Sequence, residues 1–586
     1  MIGLFLLLHT ACTDEKDTSS TTSETEEQWA PDYNCPGDPQ CETAEGPLKI
    51  GAAALPITPL CFENWLDCGE DGLCPGDDGY TEPDGGEGDG RYRRAYEVYL
   101  DCGCDRICPG DEGYTAPDSG EADGVFQASW LAGFHNGRPA NGIHDDLWIR
   151  VFVLEKGETR VAFGVVDLIG WFIDDIEITR DLIADAGIDL DHLIVASTHN
   201  HESPDTVGLW GLTSSSGGVD NDYSAYVRTQ TAAAVEQAIA NLEEVGSMTI
   251  GSVDVGSYSE EKGTSLLVRD SRDPVVIDEN LSAAIFRNTS GETIATLSHF
   301  GNHPEAMADE NLLITSDFAD PLRNFLEDGV EYDSYSREGY GGTSIFINGT
   351  VGGLMTPLGI TIVDGEGNEW RDYTFERNDV FGKVMAEMAM DAIESGDQVT
   401  TDIPLRVTGK KFKLPVENWG FQAMFLSGII ERELMDYDPE EVLGDDNLPY
   451  VETEISHLQI GPLSLVTVPG EFAPELWLGG YDGSHVGDPN KSVINPDNPN
   501  PPDLSKAPEG PYLRDMVPNE HLWLVGMGND FLGYILPEFD FILDDNLPWF
   551  DQPSGDHYCE TNSLGPQTAG LILEQWTALL DWEARQ

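Results

Sequence analysis

The chain has 586 residues, of which 107 are Asp or Glu and only 30 are Lys or Arg, so its formal net charge at pH 7 is −77. This charge excludes nucleic-acid binding, because no basic surface is available to displace the counterions of a phosphate backbone. It also implies repulsion from an anionic membrane unless divalent cations bridge the two, and it suits a saline or calcium-rich exterior.

The first residues predict export. Apolar residues 2–8 are too few to span a bilayer, but they fit the core of a signal peptide. Residues 1–12 resemble a bacterial lipoprotein signal, with Cys12 as the lipidated residue and membrane anchor. Residues 13–45 are predicted to be a disordered polar linker. We therefore expect an exported lipoprotein of the outer membrane, the periplasm or the cell surface.

Cysteine usage agrees with export. The chain has ten cysteines. Apart from Cys12, eight of them lie before residue 110 and the last is Cys559. In an exported chain this distribution predicts local disulfides with one thiol left over, in a pairing that the sequence does not specify.

An internal repeat occupies residues 67–90 and 101–124, within an inserted Cys- and Asp-rich region over 61–124. Pro-Gly-Asp, Gly-Tyr, Pro-Asp and Asp-Gly recur at one offset. Closely spaced carboxylates with glycine at turns suit Ca²⁺, and the repeat resembles the acidic calcium-binding repeats of extracellular bacterial proteins. The alternative is an acidic loop stapled by disulfides, without an ion. The candidate calcium ligands are Asp84, Glu87, Asp89, Asp118, Glu121 and Asp123.

The remainder of the chain has an α/β pattern. Apolar runs predict strands over 49–59, 148–155, 160–168, 193–196, 283–286, 293–300, 344–348 and 522–527, with a hairpin over 457–468. Amphipathic periodicity predicts helices over 176–186, 222–242, 379–395 and 568–582, the second capped by Asp220 or Asn221. We expect an α/β fold over residues 46–586, with a mixed β-sheet core flanked by helices.

Polar side chains follow several of these strands. His199 and His201 come directly after the run LIVAS, and such a junction can point both imidazoles to one side of a sheet. One could bind a metal while the other handles protons; the alternative is a pair of surface histidines. His303, Glu471 and Tyr534 extend the set toward the donors that zinc enzymes use. Asp167, at another strand exit, either orients a ligand histidine or caps its strand.

Eight motifs resemble, in order, the N-terminal catalytic domain of neutral/alkaline non-lysosomal ceramidases. They are LPITP, LAGF with GIHDDLWIRVFVLE, ASTHNHESP, FGNHPEAM, LITSDF, GTVGGLMTP, VPGEF and NDFLGY. The resemblance implies a ceramidase-like fold and a zinc-dependent hydrolase acting on a linear amide. Its substrate would be a lipid or another N-acyl amide, such as ceramide, which zinc-activated water would cleave to sphingosine and fatty acid.

Matched position by position, the resemblance assigns individual roles. It implies His199, His303, Glu471 and Tyr534 as zinc ligands. It implies His201 and Thr356 as catalytic residues, with Thr356 standing where the family has a serine. It implies substrate contacts from Gly133, Tyr558 and Arg272, although Arg269 is a rival for the last position.

Departures from the family pattern bear on the substrate. HESPDT replaces HSGPGG, so Glu202 and Asp205 are expected to add charge beside the metal and to favour a cationic or polar amide. A C-terminal immunoglobulin-like domain is not expected. Two alternatives stay open: a hydrolase of the same fold that acts on another amide or ester, and a non-catalytic calcium-dependent surface protein.

Overall fold

The structure is a computed structural model, and it describes residues 29–257, 267–400, 402–444, 446–487, 491–555 and 557–586. The predicted signal sequence, Cys12 and the first part of the predicted linker lie outside these ranges. Over the described ranges, the search for a helix long and apolar enough to cross a bilayer found none.

A nine-stranded mixed sheet forms the centre of the described part of the chain. The strand pairs at the two ends of its main path are parallel, and the pairs between them are antiparallel. A short strand, Asp397–Val399, pairs alongside the main path. That path runs, in spatial order, through Thr343–Asn348, Thr293–Phe300, Asn280–Asn288, Glu243–Asp254, Lys49–Pro56, Trp148–Lys156, Thr159–Val166 and His192–Ser197. The predicted mixed-sheet α/β class is confirmed.

A second, smaller sheet packs on one face of the large sheet. Strand Trp148–Lys156 shows why: its side chains alternate between two apolar environments. Phe152 and Leu154 share a core with Val407 and Leu458 of the smaller sheet. Its strands run, in spatial order, through Tyr33–Cys35, Leu405–Pro415, Tyr450–Ile460, Leu463–Thr467 and His521–Val525.

Helices cover both outer faces, so the layers are helix, sheet, sheet, helix. Val151 and Val153, on the other face of the same strand, pack against Val227 of the long helix Asn221–Ala240. Asp220 caps that helix as predicted, accepting hydrogen bonds from Asp222 N and Tyr223 N. The other helices of the described ranges are Ile173–Asp185, Ala319–Asp328, Phe375–Ser395, Trp419–Ser427, Pro474–Leu478, Leu513–Met516, Tyr558–Thr561 and Thr568–Glu583.

The large sheet curls until its two edges meet. Asn348, at the end of one edge strand, donates from Nδ2 to Thr198 O at 2.8 Å, just beyond the other edge strand. Arg150 crosses the same gap and donates to Ser344 O at 2.9 Å. The curl brings together strand ends that are far apart in the sheet, and it thereby positions the site described below.

Small two-stranded ladders connect the outer segments. Two of them lie near the sheet junction, and the others brace surface loops. They pair Met355–Thr356 with Arg269–Asp270, Glu471–Phe472 with Tyr534–Ile535, Gly329–Glu331 with Ser336–Glu338, Ile362–Val363 with Glu369–Trp370, and Trp65–Leu66 with Val98–Tyr99.

The described part of the predicted linker is ordered. Tyr33–Cys35 forms an edge strand against Leu405–Pro415. Tyr33 also stacks on His192, with ring centroids 3.6 Å apart. The prediction of disorder is therefore wrong for this segment, because strand pairing and a half-buried aromatic contact hold a polar stretch in place.

Disulfides staple the segments before residue 110. The pairs are Cys35–Cys41, Cys61–Cys104, Cys68–Cys74 and Cys102–Cys108. Cys559 is a buried free thiol. The prediction of local disulfides with one remaining thiol is confirmed.

The acidic repeats use their carboxylates to close their own loops. In the first copy, Asp84 accepts from Asp71 N at 2.7 Å and Glu87 accepts from the Tyr80 hydroxyl at 3.0 Å. In the second copy, Asp118 accepts from Asp105 N at 2.8 Å, and Glu121 accepts from the Tyr114 hydroxyl at 3.0 Å. The equivalent hydrogen bonds show that the two copies fold alike.

The two remaining calcium candidates are also engaged. Asp89 pairs with Arg93 at 2.5 Å, and Asp123 accepts from Val125 N at 2.7 Å. Three groups of close-set His, Cys, Asp or Glu side chains occur in the described ranges, and none includes any of the six candidates. Their arrangement does not support the calcium prediction, because the carboxylates are turned to backbone amides, tyrosine hydroxyls and an arginine.

Candidate active site

The predicted metal ligands meet where the edges of the large sheet approach. His199 and His303 lie in the loops that follow two of its strands. Glu471 and Tyr534 stand directly opposite each other in a short parallel ladder. All four side chains are buried. The structure therefore brings together the four residues that the resemblance implied as zinc ligands.

Asn348 joins the two histidine loops. Its side-chain amide donates to Thr198 O and to Asn302 O, both at 2.8 Å. Its Oδ1 accepts from Asn302 N at 3.1 Å. His199, which follows Thr198 in the chain, has a φ of 66°, in the left-handed region that residues other than glycine rarely adopt. Such strain persists only where the surroundings determine the conformation, as they do here.

Backbone carbonyls orient the two imidazole rings. His199 Nδ1 donates to Ile169 O at 2.7 Å, and His303 Nδ1 donates to Met355 O at 2.6 Å. With the proton on Nδ1, each neutral ring presents a free Nε2. These Nε2 atoms lie 3.4 Å and 3.3 Å from Glu471 Oε2. A carbonyl that fixes the tautomer of a ligand histidine is the usual outer-shell arrangement around zinc.

This donor set fits a zinc ion. Glu471 Oε2 is buried, and no donor reaches it with hydrogen-bond geometry. A buried carboxylate oxygen without a partner is costly, so its position between two imidazoles calls for a cation. His199, His201 and His303 each offer a ring nitrogen, and these nitrogens lie within 4.8 Å of one another. Imidazole nitrogen and carboxylate oxygen are the ligands of catalytic zinc sites.

Burial and charge act differently on the members of the site. Burial alone would raise the pKa of Glu471, but positive charge on the adjoining His199 and His303, when they are protonated in the absence of a metal, outweighs it and lowers that pKa to about 2. Burial raises the pKa of the Tyr534 phenol far above its usual value, and the negative charge of Glu471 raises it further. Burial, together with the neighbouring histidines, lowers the pKa of His201 well below its usual value.

A carboxylate that the sequence analysis did not identify lies beside His201. Glu305 Oε2 is 3.4 Å from His201 Nδ1, and Glu305 Oε1 accepts a hydrogen bond from Thr356 Oγ1. Thr356 is buried and is not among the residues that line the cavity. The structure therefore places the Thr356 hydroxyl on Glu305 and not in the cavity wall, and its predicted catalytic role stays a prediction. A signal was present in the sequence, since Glu305 follows His303 by two residues.

A largely apolar cavity opens beside these groups. His199, His201, Glu471 and Tyr534 are in its wall, and Tyr558, a predicted substrate contact, is there too. The remaining lining is mostly hydrocarbon, as ligand pockets for apolar molecules require, and Arg432 and Asn562 are its polar members. It includes Phe134, Ile169, Phe172, Val207, Leu209, Trp210, Phe421, Phe425, Ile430, Phe531, Leu532 and Leu564.

Gly133 also lines the cavity, as predicted, and for a steric reason. Its φ is 78°, and a Cβ built on it would lie 2.5 Å from His201 Nδ1. Only glycine combines this backbone conformation with so close an approach to the imidazole.

Arg272 does not reach the cavity. It is buried, with Nη1 2.6 Å from Asp540 Oδ2 and Nη2 3.1 Å from Glu560 Oε1. The structure does not support the predicted substrate contact, because buried carboxylates hold the guanidinium and it is not in the cavity wall. The rival Arg269 is exposed and donates to Leu358 O at 2.6 Å, also outside the lining.

Asp167 does not orient a ligand histidine. It accepts two hydrogen bonds from the buried guanidinium of Arg323, at 2.8 and 2.9 Å. It also accepts from Trp148 N at 2.9 Å. Of the two roles considered for Asp167, the structure supports the structural one at a strand end.

Glu202 and Asp205 do not charge the cavity. Glu202 forms a buried ion pair with Arg138. Asp205 accepts from the backbone amides of four residues, Val207, Gly208, Trp210 and Gly218. The two carboxylates therefore give no structural support to the expected preference for a cationic or polar amide, which stays a prediction. These carboxylates instead hold the loop that presents Val207, Leu209 and Trp210 to the cavity.

Comparison with known proteins agrees with this arrangement. Residues 122–359 match the family described as neutral/alkaline non-lysosomal ceramidase, N-terminal. The ceramidase resemblance is confirmed. Among curated proteins, a sequence search finds no match.

Two solved ceramidases have a similar fold. One is neutral ceramidase from Pseudomonas aeruginosa, with 15% identity and a TM-score of 0.55 over 92% of this chain and 75% of that one. The other is a ceramidase complexed with C2, with 13% identity and a TM-score of 0.54 over 92% of this chain and 76% of that one. At these identities the likeness concerns the fold.

Several functional residues of this ceramidase-like site were not predicted. Arg432 lines the cavity and pairs with Asp530 at 2.5 Å. The helix Trp419–Ser427 contributes Phe421 and Phe425 to the wall. A signal for the helix existed, since it is an uncharged run in a chain with 23% charged residues. Nothing in the sequence around Arg432 indicated that it would line a cavity.

Proposed function

We propose that this protein is a zinc-dependent amidohydrolase of the neutral ceramidase type. It would hydrolyse the N-acyl amide bond of a lipid such as ceramide, releasing a fatty acid and sphingosine. The observation that carries the proposal is the buried Glu471 Oε2, without a hydrogen-bond donor, between the Nε2 atoms of His199 and His303 at the wall of an apolar cavity. The family match over residues 122–359 supports it.

The chain offers His199, His303, Glu471 and Tyr534 to hold the zinc ion. A zinc ion at this position supplies a Lewis acid for the amide carbonyl and a water that is nucleophilic at neutral pH. Tyr534 lies directly opposite Glu471 in their short parallel ladder, so the backbone pairing holds these two side chains next to each other.

His201 is the group in this site that can move a proton. Its Nε2 lies 3.5 Å from His199 Nε2 and faces the metal ligands, while its Nδ1 faces Glu305. A general base must take a proton from the attacking water, and the same group can return it to the leaving nitrogen. Glu305, itself held by Thr356, orients the ring for both steps.

The apolar cavity supports a lipid rather than a polar amide. Its hydrocarbon lining removes the alkyl chains of a substrate from water, which contributes about 25 cal/mol per Å² of buried apolar surface. The active-site groups form most of the polar part of that wall, together with Arg432 and Asn562. A substrate with long chains and one central amide therefore matches the distribution of polarity in the site.

We also propose that the protein acts outside the cytoplasm. Four disulfides form within the segments before residue 110, and disulfides persist in oxidising compartments. The lipoprotein-type anchor at Cys12 stays a prediction, as does its position at the outer membrane or cell surface.

The test combines metal analysis with a hydrolysis assay. We expect near one zinc per chain in the wild type, release of fatty acid from ceramide, and loss of both in His199→Ala. The control is His521→Ala, which disrupts the group of Asp397, Glu520 and His521 on the surface and should change neither quantity. A wild type that binds no zinc after reconstitution contradicts the proposal. If the protein binds zinc and hydrolyses other amides or esters but not ceramide, the proposed substrate is wrong and the proposed mechanism stands.

A further inference from the structure

The helix Trp419–Ser427 has an unusual surface. It reads WGFQAMFLS and contains no charged side chain. Phe421 and Phe425 face the cavity, whereas Trp419 and Leu426 are 43% and 52% exposed. A helix that is apolar all round is normally buried in a protein or in a membrane, yet this one has an apolar face in solvent.

This exposed face extends beyond the helix. Trp419, Ala423 and Leu426 follow the helical repeat and share one side of it. Phe550, which is 50% exposed, packs on Trp419 with ring centroids 4.4 Å apart. We call these four residues the apolar face. It lies on the outside of the same helix whose inner side forms the cavity wall.

The helix is firmly held. Asn418 caps it, accepting from Phe421 N at 3.2 Å. The Asn418 amide donates to Thr561 O at 3.0 Å and to Ser563 O at 2.9 Å, next to the cavity residue Tyr558. The apolar face is therefore a fixed platform beside the cavity.

We propose that the apolar face docks the protein on the surface of a zwitterionic lipid bilayer. Trp, Phe and Leu side chains without neighbouring charge on their helix are what the interface between headgroups and acyl chains accommodates. The net charge of −77 selects the kind of lipid, because an anionic surface would repel the protein. It also opposes a second copy of this chain as the occupant, since two such charges repel each other. The functional reason for docking rests on the proposed lipid-amide substrate, whereas the proposed binding of the apolar face to a bilayer does not depend on it.

The test measures sedimentation of the full chain with phosphatidylcholine vesicles. Cys12→Ser is included so that no acyl anchor contributes. We expect Trp419→Ser with Leu426→Ser to lower the partition coefficient about tenfold or more. Trp419→Phe keeps an aromatic ring and should keep binding. Replacing part of the phosphatidylcholine by phosphatidylserine should weaken binding of the wild type.

The matched control is Ile178→Ser with Leu182→Ser. These two side chains are 46% and 39% exposed on the helix Ile173–Asp185, which carries five carboxylates. We expect a change of less than about twofold. An equal loss in this control overturns the proposal, as does a wild type that does not sediment with vesicles. A wild-type dimer that Trp419→Ser with Leu426→Ser dissociates also overturns it, because the apolar face would then join two copies.

The outcomes separate docking from catalysis. Under the docking proposal, His199→Ala binds vesicles like the wild type although it is inactive. A wild type that binds vesicles but hydrolyses no amide overturns the proposed function alone. A wild type that hydrolyses ceramide in detergent but does not bind vesicles overturns docking alone.

Discussion

Close approaches between single residues decide the geometry of the site. The loop that carries Gly133 passes so near His201 that the ring occupies the space a Cβ would need. The His201 ring therefore lies close to a backbone segment and to Glu305. Both the Gly133 backbone and the Glu305 carboxylate approach the Nδ1 edge of this ring.

Replacing Gly133 by alanine should disable the site without unfolding the protein. The new Cβ displaces His201, and a displacement of about 1 Å can reduce kcat/KM by roughly a hundredfold. Gly187→Ala is the matched control, because Gly187 has a similar φ of 72° but no atom within 4 Å of its Cβ position. Ceramide hydrolysis and thermal unfolding should be measured for both variants. Equal activity in the two variants would mean that contact with His201 is unimportant.

Thr356 is expected to act through Glu305. Thr356→Val keeps the shape but removes the hydroxyl that donates to Glu305. We expect kcat to fall about tenfold, equivalent to ~1.4 kcal/mol, with zinc content unchanged. Thr356→Ser restores the donor and should recover most of the activity. Loss of zinc in the valine variant, or no difference between valine and serine, would contradict this positioning role.

Buried ionic clusters tie the elements together away from the site. Arg180 of the helix Ile173–Asp185 donates to Glu454 of the smaller sheet at 2.9 Å. His192, which begins an edge strand of the large sheet, lies 3.0 Å from the same carboxylate. The cluster thus joins one helix and both sheets. Burial, reinforced by Arg180, lowers the pKa of His192 from 6.5 to about 4.

This cluster predicts a specific loss of stability in acid. The pKa of His192 is lower in the folded chain than in the unfolded chain, so its contribution is present above pH 6.5 and is lost as the pH falls toward 4. Between pH 7 and pH 5 the wild type should lose about 2 kcal/mol more than His192→Gln, since each pKa unit corresponds to ~1.4 kcal/mol. Denaturant titrations at both pH values measure the difference. His521→Gln, at a half-buried position, should behave like the wild type, and parallel curves for His192→Gln and the wild type would refute the assignment.

Charge dominates the behaviour of the whole molecule. The net charge of −77 makes the acidic side chains repel one another. This repulsion is stronger in the folded state, because folding brings the charges closer together. The structure offers few compensating cations, because only 30 Lys and Arg residues are available. Many of these arginines, such as Arg138, Arg272 and Arg323, are buried in internal ion pairs and do not neutralise the surface.

Stability should therefore rise with ionic strength. The screening length falls from about 30 Å at 0.01 M salt to about 8 Å at 0.15 M, so most of the gain should occur in this range. We expect Tm to increase by several degrees, as measured by differential scanning calorimetry. Choline chloride should match sodium chloride at equal ionic strength if screening is the cause. A flat response, or a rise with sodium alone, would contradict the explanation.

Much of the fold was predictable from local pattern. The strand predicted over 293–300 coincides with Thr293–Phe300, and the closing helix differs from its prediction by one residue. Strand Leu405–Pro415 and helix Trp419–Ser427 were missed. Lysines at positions 410, 411 and 413 break the apolar run of the strand, and the helix is too uniformly apolar to show amphipathic periodicity.

The sequence by itself identified the two histidines, the acid and the tyrosine that meet in the site, and it identified the ceramidase family that the order of the motifs resembles. Short-range pattern suffices for this, because each motif follows the apolar strand that precedes it. Only the tertiary structure decided which polar residues meet. Asn348 acts across segments distant in sequence, Thr356 contacts Glu305 from outside the cavity, and Arg272, Glu202 and Asp205 have buried structural partners. A carboxylate or guanidinium looks the same in sequence whether it faces a cavity or a buried ion pair, and only the curl of the large sheet determines which of the two it meets.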